Sequence, residues 1–332
     1  MNTYTASEQR HEATPCRRCG NSGLFLPLVS LGLWHNFGGG ERYARFSEIL
    51  FHAFDRGVTH LDLANNYGPP PGAAEENLRC VLRDGLERYR DELVISTKAG
   101  YPMWPGPHGS GGGRKHLLAS IDQSLKRTGL EYFDIFYSHR PDPVTPLEET
   151  VGALADIVRR GKALHAGISN YEPGRAKQVI DMLRAEGVPC VVHQARYSMF
   201  ERTPERGLLD TLAREGVGMV AFSPLAQGLL TDRYLDGIPE GSRASRPGGF
   251  LKPGQVTPGY LSRARRLNAL AAARGQSLAG MALAWLLRNP VVTSVLTGAS
   301  STAQLDENLK ATRHLDFTPA ELAAIEEALD MP

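Results

Sequence analysis

Short apolar runs recur along the chain from residue 28 onward. Eight of them have the length of strands, are rich in β-branched and aromatic residues, and are largely apolar on both faces, as buried parallel strands are. They span residues 28–33, 58–64, 93–98, 133–138, 163–169, 190–194, 217–223 and 292–298. The pattern predicts eight strands of one parallel sheet.

The intervals between these runs carry apolar residues at helical spacing. After the first run, one helix face is formed by Phe46, Ile49, Leu50, Ala53 and Phe54. The stretches 117–129 and 146–161 repeat this pattern and end at a glycine that follows basic residues, which is typical of a helix end. The stretches 173–187 and 204–216 have proline near the start and glycine at the end.

Regular alternation of eight strands with helices predicts an α/β fold, a (β/α)8 TIM barrel. A doubly wound parallel sheet is the alternative, although no G-x-G-x-x-G sequence follows the first strand. The glycine- and proline-rich segments 104–113 and 234–260 are predicted to be long loops after the third and seventh strands. Long loops of this kind on a barrel usually belong to the site.

The domain organisation follows from the same pattern. Residues 1–15 are polar and precede the first predicted element, so we expect them to form a flexible N-terminal arm. Residues 16–332 are expected to form a single (β/α)8 domain, because barrels of this length often use the whole chain as one domain.

Composition excludes several classes of function. Hydrophobic residues make up 42% and charged residues 22% of the 332-residue chain, as in ordinary globular proteins. A formal net charge of +1 gives no strong field for binding nucleic acid or a membrane surface. No apolar run has the length of a membrane span and no signal-peptide core is recognisable, so we expect a cytoplasmic protein.

The chain has four cysteines: Cys16, Cys19, Cys80 and Cys190. The first two form a C-x-x-C pair, but a structural zinc site needs four ligands and no second pair follows. We therefore expect no metal site and interpret the C-x-x-C pair as reduced surface thiols.

Candidate chemistry lies where the predicted strands end, because reacting residues of a barrel lie at the carboxyl ends of its strands. The second strand contains Asp62 with Tyr67 shortly after it, the third ends at Lys98, and the fourth is followed by His139. An ammonium beside a phenol favours the phenolate, so Lys98 is expected to lower the pKa of Tyr67. Together the four groups could protonate a carbonyl oxygen as hydride reaches its carbon.

Several longer motifs accompany these four residues: "GISN" (167–170), "HQARYS" (193–198), "FSPLAQGLLTDRY" (222–234) and "TGASSTAQLDEN" (297–308). With them the sequence resembles the aldo-keto reductases from about residue 16 to the end, and "CGNSGL" resembles the N-terminal β-hairpin of that family. The likeness is greatest to the branch that includes potassium-channel β-subunits and bacterial reductases of L-glyceraldehyde 3-phosphate.

The resemblance implies a catalytic tetrad of Asp62, Lys98, His139 and Tyr67, with Tyr67 as the proton donor. It implies that Ser169, Asn170 and Gln194 hold the nicotinamide carboxamide and that Tyr197 stacks on the nicotinamide ring. It also implies an NADPH/NADP+ cofactor whose pyrophosphate is bound by Phe222, Ser223, Leu225 and Gln227. Trp34 would lie beside the nicotinamide and the substrate, and further cofactor contacts would come from Asp62, Pro224, Gly228 and Gly298.

Recognition of the adenosine end follows from the same resemblance. The 2′-phosphate would be bound by Arg233, Ser242, Arg243, Ser300 and Gln304, and the adenine by Glu307 and Asn308. Two arginines at this place favour NADPH over NADH, because a guanidinium pairs with a phosphate through two parallel hydrogen bonds.

The implied activity is reduction of small aldehydes, with L-glyceraldehyde 3-phosphate giving glycerol 3-phosphate and methylglyoxal-type carbonyls also accepted. The chain ends soon after its last helix, so the substrate would be walled by Trp34, Tyr67, Tyr101, Trp104, His139 and Arg140. Barrels of this branch often form homo-oligomers, although the sequence marks no interface. Two alternatives stay open: a cofactor-binding regulatory subunit with little turnover, and a lyase in which Lys98 forms a Schiff base.

Overall fold

The barrel predicted from the sequence is present. The computed structural model describes residues 4–35, 37–39, 43–245 and 251–330. Eight parallel strands close into a barrel in the order β10-β3-β4-β5-β6-β7-β8-β9. They are β3 (Val29–Gly32), β4 (His60–Asp62), β5 (Val94–Ala99), β6 (Phe133–Ser138), β7 (Ala163–Ser169), β8 (Cys190–Arg196), β9 (Gly218–Phe222) and β10 (Val292–Thr297). The doubly wound alternative is therefore wrong.

A two-stranded antiparallel hairpin precedes the barrel, as the resemblance implied. It pairs β1 (Cys16–Arg18) with β2 (Phe25–Pro27), with Arg17 opposite Leu26. The Sγ atom of Cys19 lies 3.3 Å from the carbonyl of Val191, at the start of β8. The hairpin thus covers the amino end of the barrel and leaves the carboxyl end open.

Helices surround the strands, and those after β3, β5, β6, β7 and β8 were anticipated from periodicity. The described helices are α1 (Arg10–Ala13), α2 (Tyr43–Asp55), α3 (Ala73–Val81), α4 (Arg114–Thr128), α5 (Leu147–Arg159), α6 (Pro173–Ala185), α7 (Leu208–Glu215), α8 (Pro258–Ala273), α9 (Leu278–Leu287), α10 (Thr302–Leu309) and α11 (Pro319–Asp330). The predicted loop 104–113 has no helix or strand. Within the predicted loop 234–260, α8 already begins at Pro258, and residues 246–250 lie outside the described residues.

The barrel interior has an apolar half and a polar half. The apolar half joins the hairpin to β6, β8, β9 and β10 through Cys19, Leu26, Ile135, Tyr137, Val192, Val220 and Leu296. The polar half comes from β10, β3, β4 and β5 and consists of Ser294, Ser30, His60, Asp62, Ser96 and Lys98, all of them buried. Alternation along each strand explains the division, because every second residue of a strand points into the barrel.

The structure differs from the flexible N-terminal arm expected from composition. The ring of Tyr4 stacks on Phe51 with centroids 4.2 Å apart, and its hydroxyl donates to the carboxylate of Asp55 at 2.8 Å. Arg10 forms an ion pair with Glu92 at 2.8 Å. Described residues 4–14 therefore pack on the outside of the barrel near the end of α2, because an aromatic side chain near the start of the chain finds an apolar partner there.

The C-x-x-C pair also differs from the surface thiols expected. Cys16 is exposed, but Cys19 is buried in the interior cluster beneath the barrel. Burial raises the pKa of the Cys19 thiol to about 12, so this thiol stays protonated at neutral pH.

Candidate active site

Asp62 and Lys98 form a buried ion pair at the open end of the barrel. The Nζ atom of Lys98 lies 2.5 Å from Oδ2 of Asp62, and it also donates to the carbonyl of Leu63 at 2.6 Å. Oδ1 of Asp62 accepts from Ser96 Oγ at 2.7 Å and from Gln194 Nε2 at 3.0 Å. Burial lowers the pKa of Lys98, and the adjacent Asp62 carboxylate opposes that change. The carboxylate therefore holds the ammonium in one place.

Tyr67 points its hydroxyl at this pair. Its OH lies 3.4 Å from Nζ of Lys98, and the ammonium lies 4.9 Å from the centre of the ring. The carbonyl of Tyr67 accepts hydrogen bonds from the amides of Gly72 and Ala74, at 3.1 and 3.3 Å. These two bonds tie the tyrosine backbone to the start of α3, so the phenol is held above Lys98.

The pKa of Tyr67 shifts in the direction opposite to the one predicted. We expected Lys98 to lower it, but the pKa lies well above 10, because burial disfavours the phenolate and the negative charge of Asp62 adds to that effect. Lys98 is closer to Asp62 than to the phenol, so Asp62 balances its charge. The phenol consequently stays protonated at neutral pH, which is the state that a proton donor requires.

His139 completes the predicted tetrad. Its ring lies 6.0 Å from that of Tyr67 and 4.6 Å from that of Tyr101, measured between centroids. Burial, followed by the positive charges of Lys98 and Arg140, keeps the pKa of His139 well below its usual value. The imidazole is therefore neutral, and a neutral imidazole still has one N–H to offer to a carbonyl oxygen.

Aromatic rings line the mouth of the barrel on the side of Tyr67. Trp34 is 41% exposed, and its ring lies 6.2 Å from that of Tyr67. On the other side of His139, the guanidinium of Arg140 lies 4.4 Å from the centre of the Tyr101 ring. These contacts bring together around Tyr67 four of the residues predicted to contact the substrate: Trp34, Tyr101, His139 and Arg140. The ring of Trp104 lies 4.8 Å from that of His116.

The residues expected to hold the carboxamide are at the ends of β7 and β8. Asn170 has a left-handed backbone with φ of 63°, and its Nδ2 donates to the carbonyl of His139 at 3.0 Å and to Ser169 Oγ at 3.1 Å. Gln194 donates to Asp62, so it is fixed beside the tetrad. The structure thus brings Ser169, Asn170 and Gln194 to the same end of the barrel as the ion pair.

Tyr197 does not join them, and its predicted stacking role is wrong. Its side chain is 1% exposed, its hydroxyl donates to Glu205 at 2.7 Å, and its ring lies 5.9 Å from that of Trp285 in α9. The ring is therefore enclosed between the barrel and its helices. Tyr197 follows the last residue of β8, Arg196, so the strand pattern of the sequence did not determine the direction of its side chain.

Phe222 lies in a different place from the one predicted. We assigned it to the pyrophosphate, but it ends β9 and packs against the apolar cluster inside the barrel. Val220 belongs to the same cluster two residues earlier, so the two side chains face the same way. An inward-facing aromatic side chain at the open end of the barrel is suited to contact a planar ring.

The segment after β9 has a strained backbone. Ser223, Ala226 and Gln227 have positive φ angles of 53°, 47° and 61°, and His35 after β3 has 58°. Positive φ is uncommon for residues other than glycine, and such strain collects at functional sites. The same segment contains Leu225, expected at the pyrophosphate, and Pro224 and Gly228, also expected to contact the cofactor.

Two arginines were expected at the 2′-phosphate, and they differ in placement. A Cβ atom added at Gly298 would lie 3.9 Å from Nη2 of Arg243, and burial, followed by the charge of Arg243, lowers the pKa of His35. Arg243 therefore lies across the open end, between the segments after β10 and β3. Arg233 is exposed on a short helical turn.

Of the remaining predicted contacts, Ser300 and Gln304 lie at the start of α10, and Glu307 and Asn308 lie within it. Ser300 donates through its amide and its hydroxyl to Oε1 of Gln304, while Ser242 is buried and Glu307 pairs with Lys310 at 2.7 Å. Asn308 is 2% exposed and its Nδ2 has no hydrogen-bond partner. A buried amide without a partner fits the ring nitrogen of a bound base, so these residues fit the adenosine end of a dinucleotide.

The comparisons with known proteins agree with this geometry. Residues 28–330 match the Aldo/keto reductase family. The chain belongs to this family. A solved structure of a thermostable aldo-keto reductase, Tm1743, in complex with the inhibitor epalrestat, superimposes with a TM-score of 0.73 at 30% identity, covering 95% of this chain and 99% of that one.

Two curated relatives of this aldo-keto reductase differ in what they are described to do. L-glyceraldehyde 3-phosphate reductase of Escherichia coli (strain K12) is 55% identical over 328 residues, which are 98% of this chain and 95% of that protein. A probable voltage-gated potassium channel subunit beta of Arabidopsis thaliana is 36% identical over 323 residues, which are 94% of this chain and 96% of that protein.

The family membership and the reductase relative define the general activity. This aldo-keto reductase is an oxidoreductase that reduces aldehydes, and it uses a nicotinamide cofactor. In the part of the chain that the structure describes, no helix is both long enough and apolar enough to cross a membrane.

Proposed function

We propose that this aldo-keto reductase reduces L-glyceraldehyde 3-phosphate to glycerol 3-phosphate with NADPH, and that it also reduces methylglyoxal-type aldehydes. The observation that carries the proposal is the buried contact of Lys98 with both Asp62 and the hydroxyl of Tyr67. The relative that is 55% identical is described as an L-glyceraldehyde 3-phosphate reductase, which supports the choice of aldehyde. A cytoplasmic location and assembly into a homo-oligomer stay predictions.

Each residue of the tetrad has a distinct role in the proposal. When bound, the cofactor supplies a hydride to the carbonyl carbon. Tyr67 gives its proton to the carbonyl oxygen, and the ammonium of Lys98 stabilises the phenolate that forms. Asp62 keeps Lys98 charged and in place, and neutral His139 donates a hydrogen bond to the same oxygen. Because all four groups are held before the substrate arrives, little reorganisation is needed.

For the cofactor, we assign the aromatic contact at the nicotinamide to Phe222 and Trp34 and the carboxamide to Ser169, Asn170 and Gln194. Arg243, together with Ser242, Ser300 and Gln304, would bind the 2′-phosphate, and Arg233 would lie at the rim of that site. Glu307 and Asn308 would bind the adenine, for which the unpaired Nδ2 of Asn308 is the main support.

Arg243→Ala tests the preference for NADPH. We expect the dissociation constant for NADPH to rise about 10- to 100-fold, because a charge-assisted hydrogen bond to phosphate contributes about 1.5–3 kcal/mol. The constant for NADH, which has no 2′-phosphate, stays within about twofold of the parent. Fluorescence titration measures both constants. Arg160→Ala, at an exposed site on the end of α5, is the matched control.

Equal losses for NADPH and NADH in Arg243→Ala would show that Arg243 contacts another part of the cofactor or supports the fold. Loss of NADPH affinity in Arg233→Ala alone would move the 2′-phosphate contact to that residue.

Arg140 is the cation best placed for a substrate phosphate. It follows His139 directly, its Nε donates to the carbonyl of Gly100 at 3.1 Å, and its guanidinium lies against the Tyr101 ring. Within the described ranges, no carboxylate forms an ion pair with Arg140. A guanidinium held by a backbone bond and a ring is oriented before a substrate binds, so it can pair with a phosphate at small entropic cost.

Arg140→Met tests recognition of the phosphate. KM for L-glyceraldehyde 3-phosphate should rise about 10- to 100-fold, since one charge-assisted contact is lost. KM for methylglyoxal, which has no phosphate, should change by less than about threefold. Arg140→Lys keeps the charge and should recover part of the loss. A parallel rise for both aldehydes would mean that Arg140 shapes the mouth and does not bind phosphate.

A regulatory subunit is the second candidate, and the potassium channel β relative supports it. Such a protein would bind NADPH tightly and turn over slowly. A panel of aldehydes that includes both enantiomers of glyceraldehyde 3-phosphate, assayed by NADPH oxidation, separates the two functions. Turnover close to zero with every aldehyde, together with tight NADPH binding, would favour the regulatory subunit.

A further inference from the structure

A row of buried polar side chains crosses the barrel beneath the proposed active site. Ser96 Oγ donates to Asp62 at 2.7 Å, and His60 Nε2 lies 3.1 Å from Ser96 Oγ. On its other side, His60 Nδ1 lies 2.9 Å from Ser30 Oγ, and Ser30 Oγ lies 2.6 Å from Ser294 Oγ. The row thus connects four neighbouring strands, β10, β3, β4 and β5, to one carboxylate.

The hydrogen bonds of this row have one consistent direction. An ionised Asp62 only accepts, so the Ser96 proton goes to Asp62 and Ser96 Oγ must accept from His60 Nε2. The Nδ1 atom of a neutral His60 then accepts from Ser30, which in turn accepts from Ser294 at 2.6 Å; the Ser294 hydroxyl also lies 3.3 Å from the carbonyl of Leu28. Burial lowers the pKa of His60 to about 4, although the charge of Asp62 raises it and that of Lys98 lowers it further. His60 is accordingly neutral at physiological pH, as this direction requires.

Packing alone does not account for this row. The other half of the same interior is filled by apolar side chains such as Ile135, Val192 and Val220. Buried polar groups cost free energy to desolvate, and the hydrogen bonds between them return little net stability. Departures from an apolar interior of this kind are expected where they serve a site.

We infer that His60 and Ser96 are positioning residues of this reductase, which hold the carboxylate of Asp62 from beneath so that Lys98 stays aligned with Tyr67. The inference rests on the proposed roles of Asp62, Lys98 and Tyr67. Ser96 and Gln194 occupy Oδ1 of Asp62, which leaves Oδ2 facing Lys98. Without Ser96, the carboxylate can rotate, and the ammonium that follows it moves away from the phenol.

Ser96→Ala is the first test. We expect kcat for methylglyoxal to fall about 10- to 100-fold, the loss typical when the hydrogen-bond partner that orients a metal-binding side chain is removed. KM for the aldehyde and the dissociation constant for NADPH should stay within about twofold of the parent, since Ser96 is one layer below both. If Ser96 had a purely structural role, its loss would not lower kcat alone.

A pair of substitutions at His60 separates donation from packing. His60→Gln places an amide N–H near the position of Nε2 and should keep kcat within about threefold of the parent. His60→Leu has a similar volume without a donor and should lose as much as Ser96→Ala. Rescue by glutamine but not by leucine is the expected signature.

Thr97→Val is the matched control, because it deletes a buried hydroxyl of the same strand that bonds Glu75 and not Asp62. The inference is overturned if Ser96→Ala and His60→Leu keep the parental kcat. It is also overturned if His60→Gln loses as much kcat as His60→Leu. A loss of kcat in Thr97→Val as large as that in Ser96→Ala would overturn it as well. If Tyr67→Phe is inactive while Ser96→Ala is fully active, only this inference fails. Full activity of Tyr67→Phe would overturn the proposed function itself.

Discussion

Tyr67→Phe is expected to lower kcat for methylglyoxal by about 100- to 10,000-fold, the usual contribution of a general acid. The substitution removes a single hydroxyl, the one that lies 3.4 Å from Nζ of Lys98. The rest of the ring can keep its contacts with Trp34 and His139, so the shape of the mouth is retained. NADPH oxidation measured at saturating aldehyde gives the result directly.

Binding of NADPH provides the control for this variant. Its dissociation constant should match the parent within about twofold, because phenylalanine preserves the surface that the cofactor meets. The raised pKa of Tyr67 provides a second check. Because the phenol keeps its proton, ionisation of Tyr67 should not lower the rate of the parent enzyme between neutral pH and a pH of about 9. A Tyr67→Phe variant that reduces methylglyoxal at the parent rate would exclude Tyr67 as the donor.

Lys98→Met is expected to affect both activity and stability. Removal of the ammonium leaves the buried carboxylate of Asp62 without its cation, and loss of one member of a buried ion pair costs about 3–5 kcal/mol. Activity should fall at least as far as in Tyr67→Phe, because the phenolate loses its stabilising charge and Asp62 loses its partner. Denaturant unfolding and NADPH oxidation on the same preparation measure the two effects.

The double variant Asp62→Asn, Lys98→Met distinguishes the two effects. An asparagine oxygen can still accept from Ser96 and Gln194, and no unpaired charge is left, so most of the lost stability should return. Activity should stay lost. Recovery of turnover in the double variant would show that the Asp62–Lys98 ion pair acts on the fold and not on the reaction. Parental stability of Lys98→Met would show that the charge of Asp62 is not left without a partner.

Much of the fold was predictable because strands and helices have different periods. The segments 93–98 and 133–138 were assigned as strands from local apolar content, and in the structure they span Val94–Ala99 and Phe133–Ser138. Parallel strands bring their carboxyl ends to one side, which is why Asp62, Lys98 and His139 could be expected together. The contacts between Lys98, Asp62 and Tyr67 agree with that expectation.

The errors have a common cause, since each concerned which way a side chain points or what surrounds it. Tyr197 was assigned from its place in a motif, but its ring lies beside that of Trp285. The pKa of Tyr67 was predicted from Lys98 alone, whereas burial and Asp62 determine its direction. Residues 1–15 were expected to form a flexible arm because they are polar, but Tyr4 in this segment stacks on Phe51.

The sequence by itself therefore determined the eight strands, their order of appearance and the residues at their ends. Only the tertiary structure decided that Ser294, Ser30, His60 and Ser96 form one row beneath Asp62. These residues are separated by as many as 264 positions along the chain. Periodicity reports on neighbours within a strand, while closure of the barrel brings the first and last strands together, and no local pattern contains that contact.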